Sequence, residues 1–259
     1  MVNKPLTLFN GAREVWPLTD DELAAHLAEE AGRLLIAQRA STLLEGAALG
    51  RGADQAANAF ILAGLARWRA GDAVLSEESP DDPARLAYER VWIIDPLDGT
   101  REYSEGRADW AVHVALAVGG VPKVGAVAVP ALGRLFRSDR VAMPAARRER
   151  PIMLVSRTRP PAEAREIAAL LGAELTGMGS AGAKAMAVVA GEADIYYHAG
   201  GQHEWDNCAP AAVALAAGLH ASRLDGSHLA YNCADTTKPD LVIARSEYAA
   251  LILDFCRHR

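Results

Sequence analysis

The segment Asp95-Pro96-Leu97-Asp98-Gly99-Thr100 sets two carboxylates three residues apart, directly after the apolar run Val91-Trp92-Ile93-Ile94. Pro96 fixes one φ angle and removes a donor, while Gly99 permits a turn that other residues resist. Such a turn at a strand's end would aim both carboxylates and the Leu97 carbonyl at one point. That is a set of hard oxygen donors of the kind Mg²⁺ prefers. The amides entering the next segment would face the same space and suit a phosphate oxygen. Asp-Pro and Asp-Gly are also common turn pairs, so the six residues alone fit an acidic surface turn as well.

Three further acidic features share this ambiguity. Glu77-Glu78 follows the short apolar run Ala73-Val74-Leu75 and by itself reads as a solvated edge. Trp205-Asp206 precedes a helical stretch, where Asp206 would serve as an N-cap, and Asp54 stands where a second helix is expected to start. Taken together they all fall at element termini, where side chains converge in layered folds. Two or three ions held there could bridge a phosphate and an attacking water.

Composition narrows the classes. The 259 residues carry a net charge of −6 and no long basic tract, which argues against a nucleic-acid surface. No apolar run approaches the roughly 20 residues of a membrane span, and Met1 to Leu6 has no signal-peptide core. Cys208, Cys233 and Cys256 are odd in number and widely spaced, as expected of free thiols in the cytoplasm. They share no metal-ligand spacing with His198 or His203, which flank a Gly-Gly turn near Asp206, so zinc is not expected. His113 lies in an alternating strand and reads as structural, and Cys208 as packing. Ser156 and Ser180 sit in no Gly-x-Ser-x-Gly elbow. Trp92, Trp110 and Trp205 read as core or pocket wall. Arg101 and Arg107 fit either the steering of an anion or plain solvated surface.

The elements that must carry these residues follow from periodicity. Residues 1–17 read as a loose arm. Thr19-Asp20-Asp21-Glu22 is a capping box, followed at helical spacing by Leu23, Leu27, Ala31 and Leu34. Gly46, Gly50 and Gly52 are expected to break that helix, with a second from about Asp54 to Ala70. Trp110–Val118 and Val121–Val129 are expected to form a hairpin around Gly119-Gly120, with Leu132–Phe136 as a further strand. The polar stretch Ala142–Pro151 reads as a linker. Beyond it, strands at Ile152–Val155, Ala193–Tyr197, His220–Arg223 and Leu241–Ala244 alternate with helices at Pro161–Leu171, Ala183–Ala190 and Ala209–Ala217. The expectation is an α+β layered protein with two sub-domains, 18–141 and 151–259.

Leu75-Ser76-Glu77-Glu78-Ser79, Trp92 through Thr100, and Trp205-Asp206 resemble, in order and spacing, the inositol monophosphatase superfamily. Thr100-Arg101-Glu102-Tyr103, Ser156-Arg157 and Gly179-Ser180-Ala181-Gly182-Ala183-Lys184 are most similar to its CysQ branch, the 3′-phosphoadenosine 5′-phosphate phosphatases, especially actinobacterial ones. The resemblance implies an αβαβα sandwich of the sugar-phosphatase type, Mg²⁺ dependence, lithium inhibition and, since dimers occur among relatives, a homodimer. It implies metal ligation by Glu77, Asp95, Asp98, Asp206 and the Leu97 carbonyl, with Glu77 also in a catalytic role. Asp54 would join a third metal or pair with Thr100 to orient water. Gly99 and Thr100 would hold the phosphate, alongside Asp98 and Asp206. Ser180 and Lys184 would face the nucleotide, with Ser156, Arg157 and Arg101 nearby. Two departures stand out: Gly50-Arg51-Gly52-Ala53 replaces the usual Val-Thr pattern before Asp54, and Tyr197-His198-Ala199-Gly200-Gly201 lacks the acid that inositol enzymes carry. The implied reaction is removal of the 3′-phosphate from 3′-phosphoadenosine 5′-phosphate by a metal-activated water. Inositol phosphates or fructose 1,6-bisphosphate are the alternative substrates, and a non-catalytic metal- or nucleotide-binding protein the alternative class.

Overall fold

The computed structural model describes residues 19–144 and 148–258, so the arm at 1–17 and part of the linker lie outside the described residues. Helices α1 (Asp20–Ala40) and α2 (Gly46–Trp68) form an outer layer. The first sheet follows, with β1 (Ala73–Ser76), β2 (Arg90–Asp98), β3 (Ala111–Val118), β4 (Val121–Val129) and β5 (Arg134–Arg137) in sequential order. β1 runs parallel to β2; the other pairs are antiparallel. The short helix α3 (Thr100–Ser104) sits between β2 and β3.

The second sheet contains β6 (Ile152–Ser156), β7 (Glu174–Met178), β8 (Ile195–His203), β9 (His220–Ser222) and β10 (Thr237–Ala244), in the order β7-β6-β8-β10-β9. Helices α5 (Ala181–Val189) and α6 (Glu204–Ala216) fill the space between the sheets. Helices α4 (Ala164–Leu171) and α7 (Ser246–Arg257) cover the far face. The result is the αβαβα sandwich, its five layers held by three apolar clusters, the largest of which lies on both sides of α5 and α6.

Strand β3 shows why the middle of the molecule is so apolar. Val112, Val114 and Leu116 face α1 and α2, while Ala111, Ala115 and Ala117 face the middle helices. A strand covered on both faces loses the alternation of a half-exposed one. The small residues on the inner face let helix backbone come close. At Gly125 on β4, a Cβ would lie 2.6 Å from the Ala209 carbonyl oxygen of α6.

Five expectations are corrected. Helix α2 begins at Gly46, and Gly50 and Gly52 lie inside it. Gly50 is tolerated there because a Cβ would lie 2.6 Å from Ser104 Oγ and 2.7 Å from Thr100 Cγ2, so its absence lets α2 close on α3. Asp54 is therefore an interior helical residue, not a cap. Leu34 is exposed, and Leu35 takes its core place. The segment Asp95 to Asp98 continues strand β2 instead of turning away from it. Asp206 lies within the first turn of α6, which begins at Glu204. Strand β7 and helix α7 had no counterpart among the expected elements.

Gly125→Ala is expected to lower stability by about 1–3 kcal/mol, the range for forcing a methyl into a filled core. A lower urea midpoint at unchanged m-value would show it.

Candidate active site

A register irregularity decides where the acids point. Asp95 pairs with His113, and Asp98 pairs with Ala111, so β2 spends one residue more than β3 over this stretch. In a regular strand, residues three apart face opposite sides. The bulge restores Asp98 to the side of Asp95, toward the middle helices, and Leu97 instead enters the outer core. Pro96, which cannot donate to a ladder, sits where the ladder is interrupted.

Asp95, Asp98 and Asp206 thereby present oxygens that all lie within 4.8 Å of one another. Each is held by donors from its surroundings. Asp98 accepts from the amides of Ala181 (3.2 Å) and Gly182 (2.5 Å) at the start of α5. Asp95 accepts from the Leu97 amide at 3.1 Å. Asp206 reaches back to the His203 amide. His113, buried under this cluster, sets Nε2 3.2 Å from Asp98 Oδ2 and Nδ1 3.0 Å from the Trp205 carbonyl. A carbonyl only accepts, so the Nδ1 proton points at Trp205 and Nε2 faces the carboxylate. Gly182 makes room for the ring: a Cβ there would fall 2.1 Å from His113 Nε2.

Titration follows from this crowding. Burial, then the charges of Glu77 and Asp98, push Asp95 far above the usual carboxylate range. Burial and Asp98 bring Asp206 to about 6. Asp98 goes the other way. Burial opposes its ionisation, but His113, the Gly182 amide and Lys184 together outweigh it. His113 is raised correspondingly, because Asp98 overcomes the cost of burying an imidazolium.

Glu77 follows β1 at the edge of the trio. It is exposed as a residue, yet burial of its carboxyl end and the charge of Asp206 take it to about 7. Its amide donates to the Ile94 carbonyl, and Asn58 of α2 binds Ser76 Oγ and Ser79 Oγ on either side of it. Asp54, four residues before Asn58, accepts from Thr100 Oγ1 at 3.1 Å through Oδ2. Its buried Oδ1 has no partner. Burial and the charges of Glu78 and Glu77 raise Asp54 to about 8. Buried like charges with an orphaned oxygen are the arrangement a divalent cation relieves, and an all-oxygen donor set fits Mg²⁺.

The cluster opens into a cleft of about 420 Å³. Gly99, Thr100 and exposed Arg101 line its lip, and Ser156, Ser180 and Lys184 also line the cleft. Gly99 adopts φ +91°, and a Cβ would meet Ser180 Cβ at 2.9 Å. Ser180 caps α5 through the Ala183 amide (3.0 Å). Lys184 donates to the carbonyls of Gly179 and Ser180 and lies 5.1 Å over the Tyr196 ring. Burial lowers its pKa to about 8. His198 and His203 both reach the cleft, and His203 stacks on Trp205 at 4.6 Å. Burial takes His198 down to about 4, so it is neutral near pH 7. Arg157 and Arg107 are engaged elsewhere, with Glu102 and Glu105, and with Asp109. From sequence alone His113 reads as structural, with nothing to connect it to Asp98. The strand register opposite Asp95 was the only signal for that link. Asn58 was missed, although it lies one helical turn from Asp54.

A sequence model of the Inositol monophosphatase family matches residues 26–257. A 3′-phosphoadenosine 5′-phosphate phosphatase of Mycobacterium leprae is 51% identical over 255 residues, covering 93% of this chain and 94% of that protein. The 3′(2′),5′-bisphosphate nucleotidase CysQ of Escherichia coli K12 is 32% identical over 191 residues, covering 69% of this chain and 78% of that one. Among solved structures, CysQ from Bacteroides thetaiotaomicron superposes with a TM-score of 0.76 at 26% identity, covering 87% of this chain and 97% of that one.

Without divalent cations, Asp206, Glu77 and Asp54 titrate above their unfolded values of 3.8, 4.5 and 3.8. The folded state then holds more protons than the unfolded one, so stability falls as pH rises from about 4 to about 8. Thermal melts should show this decline, a smaller one in Asp54→Asn, and a larger rescue by Mg²⁺ at pH 8 than at pH 6.

Proposed function

The chain belongs to the inositol monophosphatase family, and from that premise we propose that it removes the 3′-phosphate of 3′-phosphoadenosine 5′-phosphate, giving AMP and phosphate. The observation that carries the chemistry is the convergence of Asp95, Asp98 and Asp206 around the β2 bulge at the floor of an open cleft. The substrate rests on the named activity of relatives at about half identity over nearly the whole chain.

In this reading Asp95, Asp98, Asp206, Glu77 and the Leu97 carbonyl hold Mg²⁺, two or three ions by resemblance. Bound divalent cations supply positive charge against the phosphoryl group and make a neighbouring water a better nucleophile. The chain does the rest. Asp54 and Thr100 are hydrogen-bonded to each other beside the trio, where they would orient that water. The buried Oδ1 of Asp54, which has no partner, is the oxygen that would accept from that water. The amides of Gly99 and Thr100 would hold phosphate oxygens. Arg101 at the lip would draw in an anion that the overall negative charge repels. Ser156, Ser180 and Lys184 would bound the nucleotide side. Because Lys184 is committed to two carbonyls, its part is the fixed positive field of its ammonium and the shape of the wall. At the place where inositol enzymes carry an acid, a neutral His198 lines the cleft.

The remaining proposals rest on less. Sub-domains at 18–141 and 151–259 are supported by the two sheets falling on either side of the linker. Free cysteines support a cytoplasmic setting, and among the described residues no helix is long and apolar enough to cross a membrane. Lithium sensitivity and a homodimer rest on the resemblance alone.

The decisive assay compares kcat/KM with Mg²⁺ on 3′-phosphoadenosine 5′-phosphate, inositol 1-phosphate and fructose 1,6-bisphosphate. The nucleotide should be preferred, and Asp98→Asn should lower its kcat/KM by at least about 100-fold. Preference for either sugar phosphate would overturn the substrate, and full activity in the variant would overturn the mechanism.

A further inference from the structure

Arg85 is not among the residues that line the cleft, yet its side chain is almost wholly buried, at 2% exposure. Burying a guanidinium costs several kcal/mol unless its donors are met. Here they are. Arg85 pairs with Asp81 through two contacts of 2.6 and 2.9 Å. It also donates to Asn232 Oδ1 at 2.8 Å and to the Cys233 carbonyl at 3.0 Å. Asn232 returns a bond from Nδ2 to the Arg85 carbonyl at 3.1 Å, and holds a left-handed φ of +57° that a non-glycine residue seldom adopts.

The other side of Asn232-Cys233 meets a second buried charge. Glu204, at 0% exposure, accepts from the Asn232 amide at 2.7 Å and the Cys233 amide at 2.9 Å, with Lys238 Nζ at 3.1 Å. Glu204 opens α6, two residues before Asp206. The dipeptide is thus gripped between a guanidinium from the segment that follows Glu77-Glu78 and a carboxylate beside Asp206.

We infer that Arg85 is a positioning residue for the metal site: with Asn232-Cys233 and Glu204, it clasps the Glu77-bearing loop to the helix start that carries Asp206. This rests on the reading that Glu77 and Asp206 serve one group of ions. The need for such a clasp follows from charge. Glu77, Asp95, Asp98 and Asp206 crowd like charges together before a cation binds, and Glu77, on the loop that follows β1, is the exposed residue of the four. Asn58 holds the start of that loop, and Arg85 holds its end. A carboxylate held near its bound position sacrifices less freedom when the ion arrives, so affinity rises without any new ligand.

The test uses the full chain. Mg²⁺ binding is followed by calorimetry, and loop opening by hydrogen exchange over residues 77–84 of metal-free protein. In Arg85→Met, the Mg²⁺ dissociation constant should rise about tenfold, with faster exchange in the loop, while kcat at saturating Mg²⁺ stays within about twofold. Arg85→Lys should recover part of the affinity, since an ammonium satisfies some of the same acceptors. Unchanged Mg²⁺ affinity in a folded Arg85→Met protein would overturn the clasp. If that variant loses its cooperative melt, Glu204→Gln takes its place: weakened affinity supports the inference and wild-type affinity overturns it. Failure of the wild-type chain itself to bind Mg²⁺ would instead bring down the metal reading, and the clasp with it.

Discussion

Packing three aspartates within 4.8 Å, two of them almost fully buried, is the constraint around which this molecule is arranged. Buried charge needs compensating donors, and for Asp98 and Asp206 the fold draws them from several elements. Helix α5 turns its first amides onto Asp98, His113 approaches the same carboxylate from β3, and the His203 amide takes Asp206. The surroundings are correspondingly small-chained. Gly182, Gly99 and Gly50 each leave out a side chain where a Cβ would collide with a neighbour of the site. The apolar layers keep these pieces in register, and the acids make that register useful.

The carboxylates divide by what faces them. Asp98, flanked by His113, amides and Lys184, is held ionised, whereas burial and then the neighbouring acids drive Asp95 and Asp54 toward the protonated form. One cluster therefore contains a permanent anion and groups whose charge depends on what enters. That is the distribution expected of a site that binds a cation and also handles a proton.

Much of this could be read from residue order. The capping box at Thr19, the hairpin around Gly119-Gly120 and the five-layer sandwich all follow from local pattern or from the resemblance. Local pattern failed where tertiary contact overrode it. Gly46, Gly50 and Gly52 looked like helix breakers, because nothing in the sequence shows α3 pressing against α2. The segment Asp95 to Asp98 looked like a turn because a bulge leaves the same Pro and Gly traces as a turn does. Asp206 looked like a cap, and it does accept from a backbone amide, but from the third position of the helix back to the His203 N–H. His113 could be placed beneath Asp98 only once the strand pairing was known.

The bond between Asp98 and the start of α5 also bears on how the chain folds. Its partners are 83 residues apart, and Asp206 lies further on still. Closing so long a loop costs entropy that local hairpins and helix pairs do not pay. The first sheet can pair through neighbouring strands before the middle helices exist to cover it. The acidic pocket is then among the last features to assemble. A growing chain keeps Asp54, Glu77, Asp95 and Asp98 hydrated for most of its synthesis, and meets their mutual repulsion only when nearly all of the apolar layers are ready to bear it.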